Sequence, residues 1–190
     1  MNHKTSAADR AVALDSERLA LRAPTLDDFE ESAAMWSDAS VVRHIGGRPF
    51  TREESWARLM RHAGHWQLLG FGFWVVRERT GGRFVGEVGL AEFRRDIRPS
   101  FDGAFEIGWA LSPSAQGRGY ATEAALAALD WIGRRRGPAR TVCIIEPENA
   151  RSIGVATKCG YTEFARTMYK NSSVIVFERP SGVSDARPST

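Results

Sequence analysis

Residues 105–121 read Phe105-Glu106-Ile107-Gly108-Trp109-Ala110-Leu111-Ser112-Pro113-Ser114-Ala115-Gln116-Gly117-Arg118-Gly119-Tyr120-Ala121. They decide the fold class, because a strand, a glycine loop and a helix start follow one another within them. Phe105, Ile107, Trp109 and Leu111 alternate with Glu106, Gly108 and Ala110, the period of two of a strand whose faces differ. Pro113 ends that pattern, and from Thr122 onward the spacing is helical, with Ala121, Ala125, Leu129 and Ile132 on one stripe. Between strand and helix, Gly117 and Gly119 permit a tight loop whose N–H groups point inward, ahead of the positive end of the helix dipole. Such a junction suits a pyrophosphate, although steric need alone also places glycine at strand-to-helix turns. The third glycine of a dinucleotide fingerprint is missing, and so is the Gly-Lys-Ser/Thr of a P-loop.

Outward from this segment, the pattern alternates between strands and helices. Residues 17–22 alternate as a strand. Pro24-Thr25-x-x-Asp28 opens a helix running to about Trp36, and residues 41–49 read as an irregular connection. Thr51-x-x-Glu54 is a capping box for a second helix, towards Gln67. Residues 71–79 and 83–93 form strands around a Thr80-Gly81-Gly82 turn, and 94–103 is a polar loop. After the strand 105–112 and the helix 121–136 come a strand over 141–146, a helix over 149–159, and a hairpin of 162–170 with 173–177. The elements make a mixed α/β sheet of about seven strands with flanking helices.

At 190 residues the chain suits one core, so a single domain is expected over 16–179, with disordered ends at 1–15 and 180–190. Hydrophobic residues are 43% and charged residues 26%, and no apolar run approaches the roughly 18 residues needed to cross a bilayer, so no membrane partner is expected. Residues 1–15 lack a signal-peptide core, which makes the cytoplasm the expected compartment. With 26 Lys plus Arg against 23 Asp plus Glu, the net charge of +3 does not argue for nucleic acid. Arg134-Arg135-Arg136 precedes Gly137-Pro138, where cations meet the negative end of a helix, and that structural reading is preferred to a phosphate patch. Cys143 and Cys159 have no companion ligands and read as buried thiols. His62 and His65 share a helix face and read as surface or substrate-cleft residues, so no metal is expected.

Gln116-Gly117-Arg118-Gly119-Tyr120-Ala121 resembles the Gln/Arg-x-x-Gly-x-Gly/Ala acetyl-CoA motif of the GNAT N-acetyltransferases. Glu146-Pro147-Glu148-Asn149-Ala150-Arg151-Ser152-Ile153, followed by Lys158-Cys159-Gly160-Tyr161, is similar to the Asn-x-x-Ser…Lys-x-Gly-Phe/Tyr segment of the branch that includes the ribosomal-protein N-terminal acetyltransferases. Two motifs in the right order are more specific than either alone, and the resemblance extends over 17–179. It implies a GNAT-type sheet splayed between the strands at 105–112 and 141–146. There, Trp109, Ala110 and Leu111 would pair with the pantetheine arm, while Gln116, Gly117, Arg118, Gly119, Tyr120 and Ala121 hold the pyrophosphate. Asn149 and Ser152 would approach the pantetheine and the thioester, although Asn149 also suits a helix N-cap and Ser152 a bond to a helix carbonyl.

The resemblance also implies an enzyme that uses acetyl-CoA as co-substrate and transfers acetyl to a primary amine by direct attack in a ternary complex. The alternative is a non-catalytic acyl-CoA-binding module. The acceptor is expected to be a small molecule or a protein N-terminus, and a homodimer is a further expectation. Glu106 matches the position of a catalytic glutamate in related enzymes and is the candidate base, with Glu87 of Gly86-Glu87-Val88-Gly89 as fallback. A salt-bridged strand carboxylate is the competing reading of Glu106. Glu123 reads as a first-turn helix acid. Many relatives carry a tyrosine acid seven residues after the asparagine, but this chain has Ala156 there. Trp36, Arg43, His44 and Phe101 are candidate acceptor contacts, or ordinary core and surface residues.

Overall fold

The computed structural model describes residues 13–181. Its strands are β1 (Leu14–Asp15), β2 (Leu19–Arg22), β3 (Phe73–Glu78), β4 (Phe84–Ala91), β5 (Phe105–Leu111), β6 (Thr141–Ile145), β7 (Thr162–Tyr169) and β8 (Ser172–Arg179). Its α-helices are α1 (Phe29–Trp36), α2 (Ala39–Val42), α3 (Arg52–Leu69), α4 (Tyr120–Arg136) and α5 (Ala150–Lys158). The strands form one open sheet in the order β1-β2-β3-β4-β5-β6-β8-β7, antiparallel except at β5–β6.

The sheet has eight strands where the pattern predicts about seven. The added strand is β1, in which Leu14 pairs with Leu21 and Asp15 with Ala20. Two residues are too few to show a period, and they fall inside the stretch expected to be disordered. Of the two expected disordered ends, 1–12 and 182–190 lie outside the described residues. A second departure is α2, a single turn partly inside the expected irregular connection, begun where Asp38 accepts from the Ser40 N–H at 2.8 Å.

The local signals elsewhere act as their chemistry dictates. Thr51 N–H donates to Glu54 Oε2 at 2.8 Å and Glu54 N–H to Thr51 Oγ1 at 3.1 Å, which starts α3. Arginine side chains at the end of α4 are taken up structurally. Arg134 pairs with Asp130 at 2.6 Å, Arg135 lies over Trp131, and Arg136 Nη2 donates at 3.0 Å to the Leu69 carbonyl at the end of α3.

Alternation along the strands sorts the core to the two faces of the sheet. Ile107, Leu111, Cys143, Ile145, Ile175 and Phe177 pack with Ala124, Ala125, Ala128, Leu129 and Ile132 of α4 and Ala156 of α5. On the opposite face, Val75, Phe84 and Ala110 pack with Met35, Trp36, Val41 and Val42 of α1 and α2. Val142, Val174 and Val176 are covered there by Ile97, Phe101 and Ala104 of the loop 92–104. Both cysteines are buried.

Candidate acetyl-CoA and acceptor site

Strand β5 is paired with β4 along six positions, from Gly86↔Leu111 to Ala91↔Glu106, but with β6 at only two, Phe105↔Thr141 and Glu106↔Val142. Beyond Glu106 and Val142 the central strands separate. Phe105 N–H donates towards β6, to Arg140 O at 3.1 Å, while Ser112 N–H donates towards β4, to Val85 O at 2.9 Å. Strand alternation therefore turns the backbone groups of Ile107, Trp109 and Leu111 into the gap and those of Gly108 and Ala110 towards β4. Of the three residues expected to pair with a pantetheine arm, Trp109 and Leu111 face the gap. The Ala110 backbone instead faces Glu87, and the Leu111 carbonyl already accepts from Gln116 Nε2 at 3.1 Å.

Gly117 and Gly119 both have positive φ, +76° and +80°, and Gly119 is the N-cap of α4 with no side-chain cap. The ladder of α4 begins with Glu123 N–H to Gly119 O at 3.1 Å, so the N–H groups of its first turn face the loop unpaired within the helix. Gln116 ties the loop to both sides of the gap, since its Oε1 accepts from Arg151 of α5 at 3.1 Å. Arg118 lies 3.6 Å from Glu78, and its carbonyl accepts from Arg18 at 3.1 Å. Tyr120 turns away from the loop and donates to Glu78 at 2.8 Å beneath the Arg18 guanidinium. Ala121 continues the first turn. Glu123 accepts from Ser16 at 2.6 Å and from the Arg18 N–H at 2.8 Å, which fixes the first turn against the start of β2.

Across the gap, Asn149 caps α5: its Oδ1 accepts from Ser152 N–H at 3.1 Å, which leaves its amide NH2 free to donate. Ser152 Oγ accepts from Trp109 Nε1 at 3.3 Å, so the gap is bridged on the α4–α5 face. On the other face, His44 Nδ1 and Glu146 Oε2 approach to 3.2 Å and bridge the mouth.

The two carboxylate candidates lie on the same face but not together. Glu87 stands opposite Ala110 and Glu106 opposite Ala91, four residues along the ladder, or about 13 Å by strand rise. Glu87 is buried, accepting from Ser32 Oγ at 2.5 Å and Trp36 Nε1 at 3.1 Å, with Arg58 Nε at 3.4 Å. Glu106 lies where β5 and β6 part and is held by Arg95 through two bonds of 2.5 and 2.6 Å, and Arg95 also donates to Tyr169 OH at 3.0 Å. Arg95 and Tyr169 escape sequence reading because one sits in an aperiodic polar loop and the other on β7, two strands beyond β6. The contact depends entirely on tertiary folding.

Several side chains take their structural alternative. Trp36 and Phe101 are core residues, and Ala156 is fully buried. Arg43 is exposed. His62, expected at the surface or in the cleft, is 2% exposed because it packs on Phe73 with ring centroids 4.4 Å apart. Burial first, and then the nearby Arg58 and Arg61 charges, push its pKa well below the ordinary histidine value, so the ring is neutral at pH 7. Tyr161 OH donates to Thr141 at 2.7 Å and is buried, away from the gap. Among the described residues there is no cluster of metal-binding side chains, and no helix is long and apolar enough to cross a membrane.

A family model described as an acetyltransferase (GNAT) domain matches residues 18–162, and the chain belongs to that family. Membership implies acetyl transfer from acetyl-CoA. The YkkB protein of Bacillus subtilis (strain 168) is 27% identical over 186 residues, covering 95% of this chain and 99% of its own. A Bordetella pertussis chain described as a GnaT-family acetyltransferase superposes with a TM-score of 0.78 at 29% identity, over 88% of this chain and 98% of that one. RimL, a ribosomal L7/L12 alpha-N-protein acetyltransferase solved in complex with coenzyme A, shares the fold with a TM-score of 0.73 at 17% identity, over 90% of this chain and 99% of its own.

Proposed function

We propose that this protein is an acetyl-CoA-dependent N-acetyltransferase that acts on a primary amine, a protein N-terminal α-amine or a small amine, by direct attack in a ternary complex. One observation carries the reading. The gap that opens beyond Glu106 has Trp109 and Leu111 along one side and ends at the uncapped first turn of α4, so strand-like and anion-binding groups line one continuous path. Trp109, Leu111, the loop 116–121 and the free amide of Asn149 hold the co-substrate, which supplies an activated thioester at the closed end of the gap.

Glu106 is at that closed end and acts as the proton acceptor, with Arg95 holding its carboxylate in place. Transfer needs a neutral amine, and an α-amine with a pKa near 7.8 is on the order of 15% neutral at pH 7, against ~0.04% for a lysine side chain. With Ala156 in place of a tyrosine acid, the leaving thiolate departs unassisted, which a thiol pKa of about 8.5 permits. An acceptor that is already partly neutral fits such a site, and the shared fold of RimL, an alpha-N-protein acetyltransferase, points the same way.

The test is thiol release from acetyl-CoA with two matched peptides, one with a free N-terminus and blocked lysines, the other the reverse. Acetylation is expected on the first. Preference for the second overturns the α-amine assignment, and acetyl-CoA binding without turnover on any amine establishes a binding module instead.

A further inference from the structure

The face of the sheet that carries Glu106 has one more guanidinium than carboxylate in its contact network. Arg95 is matched by Glu106 at 2.5 Å, and Arg58 lies 3.4 Å from Glu87 with its guanidinium 3.8 Å over Trp36. Glu92, just after β4, pairs with Arg94 at 2.5 Å. Arg61, one turn beyond Arg58 on α3, has no carboxylate partner among the described residues. Its guanidinium lies 5.5 Å from the Phe93 ring, which also holds Arg95 at 4.7 Å and has His65 edge-on at 5.7 Å. The two histidines add no further positive charge at pH 7, since burial lowers the pKa of both. Desolvation and the nearby Arg95 pull the Arg61 pKa below its ordinary value against a weaker opposing pull from Glu87, which makes no salt bridge with it, although an arginine stays protonated throughout the working range.

From this we infer that the acceptor carries an oxyanion, a carboxylate or a phosphate, in addition to its amine, and that Arg61 binds it beside Phe93; the inference rests on the acetyltransferase reading above. Arg61 is an exposed residue, and its guanidinium, with no carboxylate in salt-bridge contact, offers a planar fork of donors matched to either oxyanion. The cation–π contact with Phe93 at 5.5 Å restricts the side chain before the ligand arrives, which lowers the ordering cost of binding. Arg95, drawn inward by Glu106 and Tyr169, leaves Arg61 as the outer positive group of the pair. The acceptor amine is then directed towards the closed end of the gap, where Glu106 lies.

Calorimetry on the protein saturated with coenzyme A tests this with two matched pairs, glycylglycine against its C-terminal amide and 2-aminoethyl phosphate against ethanolamine, which keeps the amine and lacks the anion. At least one anionic member should bind about tenfold to a hundredfold more tightly than its partner, and the better of the two identifies the oxyanion. Arg61→Gln should bring that ratio near one, and Arg61→Lys should retain part of it because the charge remains while the fork is lost. Arg61 is exposed, so both variants should melt like the parent. A ratio near one in the parent, a ratio unchanged in Arg61→Gln, or no binding of any of the four overturns the inference. An anion that binds through Arg61 yet is never acetylated sinks the transferase reading and leaves the anion site standing. Acetylation of both members of each pair with equal kcat/KM does the reverse.

Discussion

Strand β5 has two unlike edges. Towards β4 it is paired at every position from Glu106 to Leu111, and towards β6 it is paired only at Phe105 and Glu106. The same seven residues thus serve as rigid scaffold on one side and as an open binding edge on the other. The closed edge depends on close backbone approach at Gly86, opposite the register shift at Val76/Arg77, where a Cβ would lie 2.2 Å from the Ala110 carbonyl oxygen and φ is +154°. The open edge depends on a loop that stops the chain from following β6. Breaking the first should therefore cost stability, and breaking the second should cost binding. Gly86→Val, with its clash against backbone that cannot move independently, should destabilise by about 3 kcal/mol and lower Tm on the order of 10 °C in thermal unfolding. An unchanged Tm would break the comparison at its firmer side.

Next in size is the contrast between the carboxylates on these edges. Glu106, where the edges diverge, is tied to one loop residue, whereas Glu87 is enclosed by Ser32, Trp36 and Arg58. Glu106→Gln should lower turnover on the order of 10²-fold with acetyl-CoA affinity close to the parent's, and the deficit should shrink at high pH, where more of the amine is already neutral. Glu87→Gln should instead lower Tm, because it leaves the Arg58 guanidinium without its carboxylate. If the pH–rate profile of Glu106→Gln overlays the parent's while Glu87→Gln loses turnover in a fully folded protein, the two roles are exchanged.

A smaller effect is expected at the far end of the open edge. Gly119 holds φ at +80° as the N-cap of α4, a conformation that a β-branched residue adopts only under strain of about 1–2 kcal/mol. Gly119→Val should weaken coenzyme A binding about tenfold by calorimetry with little change in overall fold. Unchanged affinity in the folded variant would move the pyrophosphate away from this loop.

The two edges also differ in how far they could be read from the chain alone. The periods of β5 and α4, the glycines between them and the Thr51/Glu54 box are local signals, and each element appears within a residue or two of its expected bounds. The backbone polarity of Ala110 was less accessible, because which edge a given amide faces depends on register with β4 and not on side-chain alternation. The partners of Glu106 were not accessible at all. Arg95 comes from a loop without periodicity and Tyr169 from an edge strand 63 residues further on. Likewise the buried state of His62 depends on Phe73 from another element, while its own helix pattern suggests a more exposed face.

The smallest effect is expected where the two sides of the gap touch. Trp109 Nε1 donates to Ser152 Oγ at 3.3 Å, a long bond that joins the open edge of β5 to the first turn of α5. Ser152 N–H is held independently by Asn149, so losing the hydroxyl does not release the helix start. Ser152→Ala therefore removes one weak neutral bond, about 0.5–1 kcal/mol, and should raise the KM for acetyl-CoA two- to fivefold with Tm nearly unchanged. Trp109→Phe keeps most of the ring and removes the same donor. If the bond is the shared cause, the double variant should lose no more than the larger single loss, whereas independent effects would add. Additivity would mean that Ser152 reaches the co-substrate directly, and the gap would then be held at its set width by the strands alone.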